Sequence, residues 1–231
     1  MKTYITAIIA AAFLLGGCMK EASNFRELLD EREITYPGPV SNIKIYQGNL
    51  RVKIQWNPSP DPSIHQYILY WNNKGDSLLM PAGGGKTSDT VSAVVSGLLE
   101  YVQNFTLYTA DAKGNRSIGQ SISGVRMYGP LYNSSLTNRL LRAETPYDST
   151  GPDQYTLYFE TTDTTLGAGT SLTYLDAGQQ LKTVVVDSRS DQAVIDQAPA
   201  GTKVAVRSSY IPVKNAIDTF RVTYSDTLTL N

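Results

Sequence analysis

The run Arg51-Val52-Lys53-Ile54-Gln55-Trp56 constrains the fold more than any other stretch, because apolar and long polar residues alternate in it without a break. On a helix this order would scatter the apolar groups around the axis. On a strand it sends Val52, Ile54 and Trp56 to one face and Arg51, Lys53 and Gln55 to the other. The segment therefore reads as a strand with one face buried and one face wet. Pro58, Pro60 and Pro62 follow at once and forbid its continuation, since proline cannot donate to a ladder.

The same grammar recurs along the chain. Residues 66–71, 90–95 and 105–110 read as further strands, with a Gly-rich hairpin region between the first two. The third ends in Asp111-Ala112-Lys113-Gly114-Asn115, where Gly114 is suited to positive φ. Residues 129–153 hold Gly129-Pro130, Pro146 and Gly151-Pro152 and read as an irregular linker. Beyond it, residues 155–161, 171–175, 181–187, 193–196, 203–210 and 219–225 read as strands with no helix between them. Val184-Val185-Val186 is apolar on both faces, which predicts a central strand. The expected fold class is all-β: two β-sandwich-like domains, residues 37–128 and 154–231, each large enough to bury its own core.

The N-terminus has a different character. Residues 5–15 are apolar after Lys2, too short to span a bilayer, and followed by Gly16-Gly17, which is the form of a cleavable signal peptide over residues 1–17. Cys18 comes next and is the only cysteine. It has no disulfide partner, and its place after the signal makes it the expected lipid acceptor of a bacterial lipoprotein. Residues 18–36 would form a polar tether and a short helix, begun by Asn24 with Glu27 three residues on as a capping box and stopped by Pro37 and Gly38.

Several function classes are weakened by what is present. With 20 basic and 21 acidic residues and a net charge of -1, nothing drives the chain toward nucleic acid. Gly83-Gly84-Gly85-Lys86-Thr87 resembles a phosphate loop only superficially: Met80 occupies the position of its first glycine, and a strand follows where a helix should begin. His65 is the only histidine and lies just before a strand. No spacing nominates a pair of catalytic carboxylates, and no catalytic residue, cofactor or metal site is expected. Asp61, Asp111 and Asp163 sit in turns where calcium could bind, although such residues ordinarily bond their own backbone.

One feature does suggest a binding surface. If Tyr67, Leu69 and Trp71 face the core, then Ile68 and Tyr70 face outward, and the same parity puts Tyr108 beside them on the neighbouring strand. Ile68, Tyr70 and Tyr108 would make an apolar and aromatic patch, open to a partner protein or to glycan rings, or else covered by the second domain or by the linker near Leu131 and Tyr132.

Two resemblances bear on these readings. Trp56-Asn57-Pro58 with Pro62, Tyr67-x-Leu69-x-Trp71, Leu99 six residues before Phe105, and Asp111-x-x-Gly114 resemble a fibronectin type III domain. Phe105 stands where that family has a tyrosine whose hydroxyl pins a strand corner. Tyr36-Pro37-Gly38-Pro39-Val40, Asn49-x-Arg51-Val52-Lys53-Ile54-x-Trp56, Tyr70-Trp71-Asn72-Asn73, Gly114-Asn115-Arg116-Ser117 and Asn215-Ala216-Ile217-Asp218-Thr219-Phe220 resemble the Bacteroidota lipoprotein family known as domain of unknown function 4998. That resemblance implies an envelope protein among proteins that handle complex glycans. Longer members carry a discoidin-like domain, which is expected to be missing here because the motif is followed closely by Asn231. The expectation is thus a non-enzymatic binding or scaffolding protein anchored to the outer membrane through lipid on Cys18. Its partners would be glycan or a surface complex. Lys20-Glu21 partly resembles a surface-export signal and favours the cell surface over the periplasmic face. A carbohydrate-active enzyme and a purely structural spacer are the alternatives.

Overall fold

The computed structural model describes residues 35–83 and 89–231. The signal peptide, Cys18, the Lys20-Glu21 signal, the Asn24 helix and most of the Gly83–Thr87 loop lie outside these residues. Seven antiparallel strands make the first sandwich: β1 Ser41–Gln47, β2 Arg51–Asn57, β3 Ile64–Trp71, β4 Asp76–Pro81, β5 Val91–Ser96, β6 Val102–Asp111 and β7 Gln120–Arg126. One sheet has the order β1-β2-β5 and the other β4-β3-β6-β7. The alternation in β2 does what its sequence dictates, for Val52, Ile54 and Trp56 are all fully buried. They meet Tyr67, Leu69, Phe105 and Leu107 from the facing sheet in one core. Trp56 and Tyr67 pack edge to face at 5.3 Å between ring centres. Phe105 has no hydroxyl to pin a corner and instead fills this core, tilted against Trp71 at 6.5 Å. Leu98 is the buried residue upstream of it, while Leu99 is exposed.

The remaining strands repeat the pattern. They are β8 Tyr147–Gly151, β9 Gln154–Tyr158, β10 Gly167–Leu175, β11 Leu181–Val186, β12 Gln192–Ile195, β13 Lys203–Tyr210, β14 Phe220–Arg221 and β15 Asp226–Thr229. One sheet runs β12-β9-β8 and the other β11-β10-β13, with β14 and β15 both paired to β13. Counted within each half, the first, second and fifth strands share one sheet. The fourth, third, sixth and last share the other. The fold is therefore one connectivity used twice, with a second core around Leu157, Phe159, Leu172, Ile195, Val204 and Leu230.

Three expectations are corrected. The segment 129–153 is not irregular: it holds helix α1 Pro130–Ser134 and strand β8, and its Asn138 and Arg139 are buried. Polar residues Asp148, Ser149 and Thr150 hid β8, because an edge strand with both faces wet shows no apolar alternation. Strand β4 occupies part of the region read as a Gly-rich hairpin. Finally, Val184-Val185-Val186 is not central. It lies on β11, which pairs only with β10, and Val185 is 70% exposed.

Candidate binding surface and domain junction

The outer face of the β4-β3-β6-β7 sheet brings Tyr70 and Tyr108 together, edge to face with ring centres 6.0 Å apart. Ile68, expected to be exposed beside them, is 3% exposed. It sits on a central strand directly between Leu79 of β4 and Tyr108 of β6, and these large neighbours close over it. The surface that remains is Tyr70 and Tyr108 themselves, both half-buried, with exposed Leu79 at one side.

Cations, rather than the second sandwich or the linker, dress these two rings. Arg116 places its guanidinium 5.7 Å from the centre of Tyr70 and donates from Nη1 to the Tyr70 hydroxyl at 3.1 Å. Lys74 Nζ lies 5.8 Å from the centre of Tyr108. Asp111 builds the turn that positions Arg116: its carboxylate accepts from Lys113 N, Asn115 N and Asn115 Nδ2 at 2.8–2.9 Å. These bonds, led by that from the Asn115 side chain, hold its carboxyl below the usual carboxylate range. Gly119 then passes so close that a Cβ there would meet the Tyr108 ring at 2.7 Å. The patch is thus an aromatic pair with two positive groups over it, suited to stack with and hydrogen-bond a polar or acidic ligand.

Tyr132 has a different role. It packs edge to face between Tyr128, at 5.1 Å, and Phe220, at 5.0 Å, and so joins the end of the first sandwich to β14 of the second. Around this aromatic bridge the two halves are tied by polar contacts. Arg51 binds the Asp218 carboxylate through two nitrogens, Nε at 2.8 Å and Nη2. Asn49 N donates to the same carboxylate at 2.8 Å, and Ile217 N donates to the Gln47 carbonyl at 2.9 Å. The bond from Arg51 keeps the Asp218 carboxyl low. Leu50, held at φ 51° in the left-handed region, donates to Tyr128 O at 2.8 Å and accepts from Leu98 N at 2.9 Å. Glu100 accepts from Leu131 N and Tyr132 N, both at 2.7 Å, and so supplies from a distance the cap that Gly129 lacks for α1. The side chains at Gly48 explain its identity, since a Cβ there would meet Ile217 Cγ1 at 2.7 Å.

The other residues singled out by type are engaged locally. Asp61 accepts from Ser63 N, Ser63 Oγ and Gly38 N, and Asp163 from Thr165 N and its hydroxyl. His65 is exposed, at the rim of an open hollow with Leu79, Pro81 and Asp111. Among the described residues no group of three or more His, Cys, Asp or Glu is placed to hold a metal. Sequence reasoning missed the junction, although Asp218 and Phe220 lie in the Asn215–Phe220 motif already noted. Arg51 looked like an ordinary solvent-facing residue, and nothing local joins positions 167 residues apart.

The class defined by this architecture is a pair of fibronectin type III-like sandwiches held by a polar and aromatic junction. The chain belongs to the family described as a domain of unknown function, DUF4998, which matches residues 18–220. No curated protein matches its sequence. Among solved structures it is similar to a two fibronectin type III domain segment of chicken tenascin, at 12% identity and a TM-score of 0.33, covering 83% of this chain and 99% of that one. It is also similar to the FN1-FN3 domains of chicken CNTN1, at 10% identity and a TM-score of 0.44, covering 85% of this chain and 67% of that one. The fold assignment rests on the doubled strand order itself.

Proposed function

We propose that this protein is a non-catalytic binding scaffold of the bacterial outer membrane, anchored through lipid on Cys18 and displayed at the cell surface. The observation that carries the reading is the junction. Two sandwiches tied by the Arg51–Asp218 pair, the Ile217–Gln47 bond and the Tyr128–Tyr132–Phe220 stack are joined by specific contacts as well as by the chain, which suits an assembly component. The Tyr70–Tyr108 face supplies the contact surface, and its two cations favour an acidic glycan or an acidic protein segment.

The test compares wild-type protein with Tyr70→Ala/Arg116→Ala for binding to immobilised acidic and neutral envelope polysaccharides. The variant should lose at least tenfold in affinity for an acidic ligand while keeping its melting temperature within a few degrees. Equal binding by both proteins would remove this face from the account. A spacer without a binding face is the second reading, favoured by the cations that already occupy the ring faces. It predicts no affinity for any of these polysaccharides.

A further inference from the structure

Most strands at the sheet edges carry a feature that discourages further pairing. Strands β1, β7 and β8 each hold a register shift. Strand β4 starts at Asp76 and ends at Pro81, and β12, β14 and β15 have four residues or fewer. Strand β11 has none of these. It runs beside β10 without a shift, and among the described residues it pairs with no other strand. Its one charge is engaged at home, since Lys182 is bound by Asp176, at 3.4 Å, and by Gln197. Strand β5 is as straight, but its outward residues are Ser92, Val94 and Ser96, with a single apolar side chain among them.

The hairpin between β10 and β11 fixes which groups the open edge presents. Asp176 N donates to the Gln180 carbonyl at 2.9 Å, one step beyond the Leu175 and Leu181 pair. Bonded pairs alternate along an antiparallel ladder, so Lys182, Val184 and Val186 are the residues of β11 bonded to β10. The N–H and C=O groups of Leu181, Thr183 and Val185 therefore point away from it. The side chains of these three residues also face outward. Leu181 is 71% exposed and Val185 70% exposed, and Leu175, paired with Leu181, is exposed as well.

We propose that β11 pairs antiparallel with β11 of a second copy of this chain, about a twofold axis at Thr183. A twofold pairing sets residues of the same face against each other, which leaves few registers for so short an edge. Centred on Val184, it opposes Leu181 with Asp187. Centred on Val185, it opposes Thr183 with Asp187 and carries Leu181 past the end of the partner strand. Centred on Thr183, it opposes Leu181 with Val185 twice and Thr183 with itself. That register covers both exposed apolar side chains with apolar partners and sets no charge against another. A strand of another protein could use the same backbone groups, but the second copy supplies side chains that match those of β11 in register. The contact is small, so the association is weak, with Kd on the order of 100 μM.

The experiment follows sedimentation of the purified chain, carrying Cys18→Ser, from about 1 μM to about 1 mM. Its sedimentation coefficient should rise with concentration toward that of a dimer. Val185→Lys, which sets an ammonium against the partner's Leu181, should weaken the association at least tenfold. A site so exposed should keep the melting temperature within a few degrees. Val94→Lys, on the comparable edge β5, should leave the association unchanged. In Thr183→Cys the two thiols meet at the axis, and a short bis-maleimide should link them; the same reagent should not link Thr229→Cys on β15. A chain that stays monomeric at every concentration would overturn the proposal, whether the edge is idle or serves a strand of another protein. So would association that Val185→Lys leaves intact, or linkage at Thr229→Cys as ready as at Thr183→Cys.

Discussion

Trp56→Ala tests the packing argument most severely. Trp56 is fully buried in the centre of the first core, and its partners come from both sheets. Removing an indole from such a site costs about 3 to 5 kcal/mol in lost transfer energy and residual cavity. The edge-to-face contact with Tyr67 lies within that range, adding about 0.5 to 1.5 kcal/mol to area burial. Trp56 Nε1 makes no hydrogen bond of ordinary geometry and its polar interaction is with Tyr67, so the loss is chiefly one of packing. Trp56→Phe, which keeps an aromatic ring there, should therefore cost only about 1 to 2 kcal/mol. The assay is urea unfolding followed by tryptophan fluorescence and by far-ultraviolet circular dichroism. Both tryptophans, Trp56 and Trp71, lie in the first sandwich, so in Trp56→Ala the remaining Trp71 still reports on that half. Its fluorescence midpoint should fall sharply, while the dichroism of the second sandwich unfolds later. An unchanged midpoint would mean that Val52, Ile54 and Trp56 do not organise the core.

Other outcomes follow from particular contacts. Gly119→Val should drive a side chain into the Tyr108 ring and cost about 1 to 3 kcal/mol, and it should weaken any ligand of that face; an unperturbed Tyr108 resonance in NMR spectra would refute this. The Asp218 carboxyl is depressed by Arg51, so its contribution is fully present above the ordinary carboxylate pKa and is lost as pH falls through the lowered folded value. The junction should accordingly hold at neutral pH and loosen only below about pH 4, as read by small-angle scattering. Cys18→Ser should abolish lipid labelling and release the protein from the detergent phase, and retention there would refute the anchor. Protease added to sealed cells should digest the protein if it is displayed outward; full protection would put it on the periplasmic face.

Strand legibility followed from one-sided burial. In β2 the buried residues Val52, Ile54 and Trp56 can be read directly from the alternation, because the opposite face stays wet. In β3 the same rule placed Tyr67 and Leu69 correctly but left Ile68 outside. Ile68 is buried on the outer face by cross-strand neighbours, and sequence spacing does not reveal which residues those are. Strand β8 and the edge position of β11 were hidden for the complementary reason: composition reports burial, whereas ladder position is set by pairing with distant strands. Of the candidate surface, the Tyr70–Tyr108 pair was legible from parity. Arg116 and Lys74 were not, because turns carry them back over the sheet. The junction was the least legible element, since the Arg51–Asp218 pair is a property of how two finished sandwiches meet.

If the junction holds the two sandwiches together as one body, a distance distribution measured across it will be narrow. Spin labels at Lys113→Cys and Lys203→Cys, in a Cys18→Ser background, place one probe on each sandwich. The expected result is a single narrow distribution in this protein at neutral pH and a clearly broader one when Asp218→Ala removes the shared acceptor of Arg51 and Asn49. A broad distribution already present with Asp218 intact would mean that these contacts do not hold the two sandwiches in place.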